Sequence, residues 1–234
     1  MAESGHDWSR SDVPVVFEDE ELFVVDKPAG LVVHPAPGLL EPTLAELFEG
    51  EIEGGPDQSR AGVVHRLDRG TSGLMLLARS PESHSKLQRA IENREVERSY
   101  LALVTGAPRT KRGRIDAPIG RSPRERHRMA VDGAGARDAV THFEVLESLG
   151  ESTLLRVRLE TGRTHQVRVH MKAIGTPIIG DPTYGGVDPY GLGRPFLHSA
   201  RLAFTHPVSG ERLELESPLP DALEEALQAA RGDE

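Results

Sequence analysis

Two adjoining stretches constrain the fold more than any other part of this chain. "AVTHFEVLES" and "STLLRVRLE" each alternate apolar and polar residues, which is the period of a strand with one buried face. Three residues centred on Gly150 separate them, so they pair as antiparallel strands. Other segments repeat the theme. "VPVVFEDEELFVVDKPAGLVVHP" reads as strand, acidic turn, strand, Pro-Gly turn and strand, and "HSARLAFTHPVSGERLELESP" as a hairpin around Pro207 to Gly210. "VVHRLDRGTSGLMLLAR" reads as two short strands around a polar turn, and "RSYLALVTG" as one more strand.

Helical signals are fewer. Thr43 followed by Glu46 has the spacing of a capping box, and Ser80-Pro81 opens "PESHSKLQRAIEN", where Leu87 and Ile91 fall on one face. "TGRTHQVRVHMKAIG" reads as a helix capped by Thr164 with Gly175 past its end, and "LPDALEEALQAARG" as a terminal helix. Residues 108–135, rich in Arg, Pro and Gly, read as long loops with strand pieces. Hairpin-linked strands outnumber helices, which predicts an α+β fold with a large, mainly antiparallel sheet and flanking helices. Residues 1–12 are polar and are expected to form a flexible tail.

The chain has no cysteine, which excludes disulfides and thiolate metal sites. No apolar stretch approaches the roughly 18 residues of a membrane span, and the N-terminus has no secretory pattern. A soluble cytoplasmic protein is expected. The net charge is −9, yet Arg60 to Arg128 holds 16 basic against 7 acidic residues. That asymmetry predicts a basic surface suited to a polyanion.

Asp68 stands out because it lies between Arg66 and Arg69 where the apolar run breaks at Gly70-Thr71-Ser72-Gly73. A carboxylate presented by a turn on a rigid sheet is either a reactive group or a solvated ion pair. Tyr100, in a strand, and Arg168, on a helix, are by default a core tyrosine and a surface arginine. His165 and His170 are five apart, which misses the one-face spacing of a helical zinc motif, so no metal is expected. "GTSGL" lacks the G-x-S-x-G elbow, and the glycines of "DGAGARD" follow no clear strand, which argues against a dinucleotide loop.

Five blocks, "KPAGLVVHP", "HRLDRGTSGLMLLAR", "RSYLALVTG", "TGRTHQVRVHMKAIGTPIIGDPTYG" and "LHSARLAFTHP", together resemble the ordered motifs of the RluA-type RNA pseudouridine synthases, over Val15 to Pro218. The resemblance implies a pseudouridine-synthase-like mixed sheet in two halves with a central catalytic cleft, spanning residues 13–234 as one catalytic domain. Many relatives carry an S4-like domain ahead of it. With "KPAG" beginning at Lys27, none is expected here.

By residue, the resemblance implies Asp68 as the catalytic aspartate, Tyr100 as the active-site tyrosine and Arg168 as the arginine paired with Asp68. Arg66 matches the position that fills the gap left by an extruded base, and Leu197 a wall of the pocket. The implied reaction isomerises specific uridines in ribosomal or transfer RNA, with no cofactor, in a monomer. A carboxylate suits it either by attacking the sugar or by removing a sugar proton to give a glycal, and the residues leave both routes open. The target nucleotide must be flipped out of its stack. An RNA-binding or folding protein on the same scaffold, with dispensable catalysis, is the alternative, and a metal-dependent phosphodiesterase a more distant one.

Overall fold

A computed structural model of the chain describes residues 6–36, 38–125 and 128–232. In chain order the elements are β1 Val15–Glu18, β2 Leu22–Lys27, α1 Leu44–Leu47, β3 Ser72–Ala78, α2 Pro81–Glu92, β4 Glu97–Thr105, β5 Arg112–Asp116, β6 Ile119–Arg121, β7 Met129–Val131, β8 Ala134–Arg137, β9 Val140–Leu149, β10 Ser152–Leu159, α3 Gln166–Ala173, β11 Leu197–Thr205, β12 Arg212–Glu216 and α4 Asp221–Arg231. They divide into two compact units. One runs up to Val96 and takes in Arg201–Ser217; the other comprises Glu97–Ala200 and the chain from Pro218 onward.

In the first unit the strands lie in the order β1-β2-β3-β11, with β12 paired to β11. β2 pairs antiparallel with both β1 and β3. The near-continuous apolar runs of β2 and β3 are buried, so both faces of these strands are covered. Leu22, Val24, Leu74, Leu76, Leu87, Leu202 and Phe204 form the core of this unit, and Leu87 brings in α2. The Ser80 side chain accepts the Ser83 N–H at 3.1 Å and caps α2 at the residue its sequence predicts.

Between β2 and α1 the chain does something other than form the expected third strand. The carbonyls of Val32 and Val33 accept the first N–H groups of α1, from Leu44 at 2.8 Å and Ala45 at 3.0 Å. Those donors have no partner within a helix, and meeting them satisfies both segments. The Thr43–Glu46 capping box closes the same end, with Glu46 Oε2 accepting from the Thr43 N–H and hydroxyl. Within the N-terminal stretch, Arg10–Asp12 forms a 3-10 turn. Its Arg10 guanidinium lies 3.7 Å from the centre of the Phe48 ring and 3.1 Å from Glu51.

In the second unit β4-β10-β9-β5 are successive neighbours, with the opening residues of β11 beside β4. β9 and β10 pair antiparallel, as their alternation predicts. The stretch read as long loops with strand pieces carries β5 and a separate three-stranded sheet, β7-β6-β8. Short strands rich in Gly and Arg carry little apolar alternation, so their pairing is hidden from periodicity. Gly120 and Gly133 let β6 and β8 approach closely: a Cβ on Gly120 would sit 2.4 Å from the Gly133 carbonyl oxygen. Ile119, Ala139, Val169 and Tyr184, with Met129 and Val131, bind this small sheet to α3.

α3 begins at Gln166, and its N-cap is His165 in the left-handed region, not Thr164. No side chain caps this end, and the Gln166 carboxamide instead ties the preceding loop to β9. Its Oε1 accepts the Thr161 hydroxyl and the Arg163 N–H, and its Nε2 donates to the Val140 carbonyl, at 2.8, 2.9 and 3.0 Å. Gly175, at φ +83°, ends the helix as expected.

Candidate active site

The Asp68 loop is held by the "KPAG" turn. Lys27 is fully buried and donates its Nζ to the carbonyls of Pro28 and Leu31 at 2.8 and 2.9 Å, which fixes the turn from inside. Gly30, at φ +95°, then donates its N–H to the Arg69 carbonyl at 2.7 Å. A side chain there would meet both the backbone strain and the Trp8 ring, 3.2 Å from a Cβ. The Thr71 N–H closes the loop on the Asp68 carbonyl at 3.0 Å. Two motifs distant in sequence thus form one support, and Asp68 emerges from it half-buried.

The flanking arginines are engaged elsewhere. Arg69 Nη2 bonds both carboxylate oxygens of Glu41 at 2.9 Å. Arg66, which is exposed, directs Nη1 to Nε2 of His34 at 3.1 Å. Burial, and then the Arg66 charge, hold His34 below the ordinary imidazole range, so its ring is neutral and Nε2 can accept. The solvated ion-pair reading of Asp68 with its neighbours therefore fails. His65, just before Arg66, accepts the Leu76 N–H at 3.0 Å and anchors the loop to β3.

Tyr100, Arg168 and Leu197 lie in the second unit. Tyr100 is 5% exposed on β4, opposite Val157 of β10. Leu197 opens β11 and is buried. Arg168 is not a surface arginine: it lies on the buried side of α3. Its Nε and Nη2 grip Asp181 Oδ2 and Oδ1 at 2.7 and 2.9 Å, and its guanidinium lies 5.1 Å from the Tyr184 ring centre. Asp181, fully buried, also accepts the N–H groups of Thr183 and Tyr184. Such a fork fixes the guanidinium plane before any substrate arrives. His165 Nδ1 lies 2.8 Å from the Tyr184 hydroxyl, which accepts the Met129 N–H at 3.0 Å.

Two residues of this neighbourhood were missed in the sequence. Asp181 carries no local mark, because its pairing with Arg168 depends on how the chain returns after α3. Arg98 shares a face of β4 with Tyr100, two residues on, and is 3% exposed. Its Nε has no hydrogen-bond partner among the described residues, and burial holds its guanidinium below the usual arginine range. No sequence signal marks it.

Residues 21–173 match the family model described as RNA pseudouridylate synthase. A ribosomal large subunit pseudouridine synthase D of Nitrosomonas europaea is 46% identical over 98% of this chain and 68% of its own length. Its namesake in Pseudomonas aeruginosa is 44% identical over 99% and 76%. The fold is similar to human RNA pseudouridylate synthase domain containing 4, with a TM-score of 0.72 at 27% identity over 93% of this chain and 92% of that one. Human RNA pseudouridylate synthase domain containing 1 aligns at 0.70 and 27%, over 96% of each. A family model matched over most of the chain, and relatives of this identity covered to two thirds or more, show that the chain belongs to the RNA pseudouridylate synthase family.

Proposed function

We propose that the protein converts uridine to pseudouridine in ribosomal RNA, in the cytoplasm, with Asp68, Tyr100 and Arg168 as its catalytic group and Arg66 and Leu197 as substrate contacts. The observation that carries the substrate is the near-full-length similarity to synthases named for the large ribosomal subunit. The reaction breaks the bond from N1 of uracil to the ribose, turns the detached base and joins carbon 5 to the same sugar carbon. The proton leaves carbon 5 and N1 gains one, so no redox partner is needed.

Asp68 supplies the carboxylate that attacks the sugar or takes its proton. Tyr100 packs against the base and assists removal of the carbon 5 proton, directly or through water. Arg168 arrives oriented by Asp181, so its positive charge acts without reorganisation. Mapping pseudouridines in ribosomal RNA from cells with and without this protein tests the reading. Loss of at least one site in large-subunit RNA is expected; an unchanged map, or loss only in transfer RNA, would refute the ribosomal assignment.

Arg66 fits the place of the base it helps to displace. Its planar guanidinium, steadied by neutral His34, can occupy the gap left when a uridine flips out, which lowers a cost of a few kcal/mol. Arg66→Ala is expected to slow modification of a structured stem-loop far more than of a short single strand bearing the same uridine, in single-turnover assays at equal salt. Equal losses on the two would leave Arg66 as a phosphate contact, which should instead reduce the salt slope by about one.

A further inference from the structure

The motif "DGAGARD", which fits no nucleotide loop, forms one wall of a cavity in the second unit. The cavity has a volume of about 390 Å³ and lies between the small sheet and the loop before α3. β6 contributes Ile119 and Arg121, β8 contributes Ala134, Gly135 and Arg137, and the loop contributes Gly162, Arg163 and Thr164. All three charged residues on its lining are arginines. No acid lines it.

The arginines are gathered by the backbone. Pairing of β6 with β8 sets Ile119 opposite Arg137 and Arg121 opposite Ala134. Arg163 donates Nε to the Asp138 carbonyl at 2.9 Å, which brings its guanidinium to the end of β8, beside Arg137. Burial and then the Arg137 charge hold Arg163 below the usual arginine range, with Asp138 opposing weakly. The Arg137 side chain is exposed and makes no hydrogen bond or ion pair among the described residues. Arg98 adds a fourth cation against the same loop: a Cβ on Gly162 would lie 2.8 Å from its Nη1. Guanidinium groups gathered on one concave wall favour an anion there.

The wall they share is also low. β8 lies at the end of its sheet, and Ala134, Gly135 and Ala136 are exposed and carry no more than a methyl group. A bulky chain can therefore approach the strand closely. The guanidinium groups beside it match phosphate oxygens in chemistry.

We infer that this cradle, formed by β8, Arg121, Arg137 and Arg163, binds the sugar-phosphate backbone of the substrate RNA outside the residues assigned to the chemistry. The inference rests on the proposal that RNA is the substrate, and adds where the strand is gripped. A cradle of this kind favours RNA long enough to reach it over a fragment that fills only the catalytic pocket.

The test compares Arg137→Ala, Arg137→Glu and Arg112→Ala in the full chain. Arg112 is a second-unit arginine already paired with Glu144, so its removal controls for loss of surface charge. Affinity for a fluorescein-labelled hairpin RNA and for a uridine trinucleotide is measured across a salt series, with melting temperatures confirming the fold. Arg137→Glu should weaken hairpin binding about tenfold or more, and Arg137→Ala should lower the salt slope by about one. Trinucleotide binding and Arg112→Ala should stay near wild type. Hairpin affinity within twofold of wild type for Arg137→Glu, or an equal loss in Arg112→Ala, would overturn the cradle. Wild-type protein is assayed in parallel for pseudouridine. Binding through Arg137 without pseudouridine in any RNA would sink the enzyme reading and leave the cradle standing.

Discussion

Asp68→Asn should abolish pseudouridine formation, by roughly a thousandfold or more, while the protein stays folded and keeps most of its RNA affinity. The change removes one negative charge and almost no volume. Three contacts of the loop do not use the Asp68 carboxylate and survive the change: the Gly30 N–H to the Arg69 carbonyl, the Thr71 N–H to the Asp68 carbonyl, and Arg69 Nη2 on the Glu41 carboxylate. RNA affinity resides chiefly in arginines, which the substitution leaves in place. Single-turnover rates on ribosomal RNA fragments, with binding measured on the same RNA, separate the two effects. Activity within a few-fold of wild type would remove Asp68 from the chemistry.

The second large effect is expected at Arg168. In Arg168→Met the fully buried Asp181 keeps its backbone donors, Thr183 and Tyr184, but loses its counter-charge. Removing one partner of a buried ion pair costs about 3 to 5 kcal/mol. In a chain of this size that corresponds to a drop of about 6 to 20 °C in melting temperature. Turnover should fall as well, since a preset cation is lost. The double variant Arg168→Met/Asp181→Asn distinguishes the two contributions: a neutral amide that still accepts the Thr183 and Tyr184 N–H groups should recover much of the stability and none of the activity. Near-normal melting and turnover in Arg168→Met would show that the fork on Asp181 matters to neither.

What the sequence makes legible here is what local chemistry decides. Ser80 caps α2, the Thr43–Glu46 box opens α1, and the alternation of residues 139–160 pairs β9 with β10. Each depends on residues a few positions apart. The α3 start is different. Thr164 has the right residue type, but the chain turns left-handed at His165, and the Gln166 carboxamide fixes the preceding loop through Thr161, Arg163 and Val140. The β6-β7-β8 sheet was hidden for a related reason: glycines that permit close strand approach look like loop residues in a linear reading.

The site residues divide in the same way. Asp68 was visible because a turn signal and two arginines surround it, although those arginines turn out to serve Glu41 and His34. Arg168 was visible only through the motif set. Its partner Asp181, thirteen residues on, required the fold. Arg98 carries no local mark at all, since burial of a charged side chain is a property of the assembled sheet.

The most direct measurement of the proposed activity uses ribosomal RNA carrying tritium at carbon 5 of uridine. Joining carbon 5 to the sugar must expel that hydrogen, whichever route Asp68 takes. Wild-type protein should release tritium to water in step with pseudouridine formed, one for one, and Asp68→Asn should release none. Folded wild-type protein that binds this RNA without releasing tritium would contradict pseudouridine synthesis and leave an RNA-binding protein on the same fold.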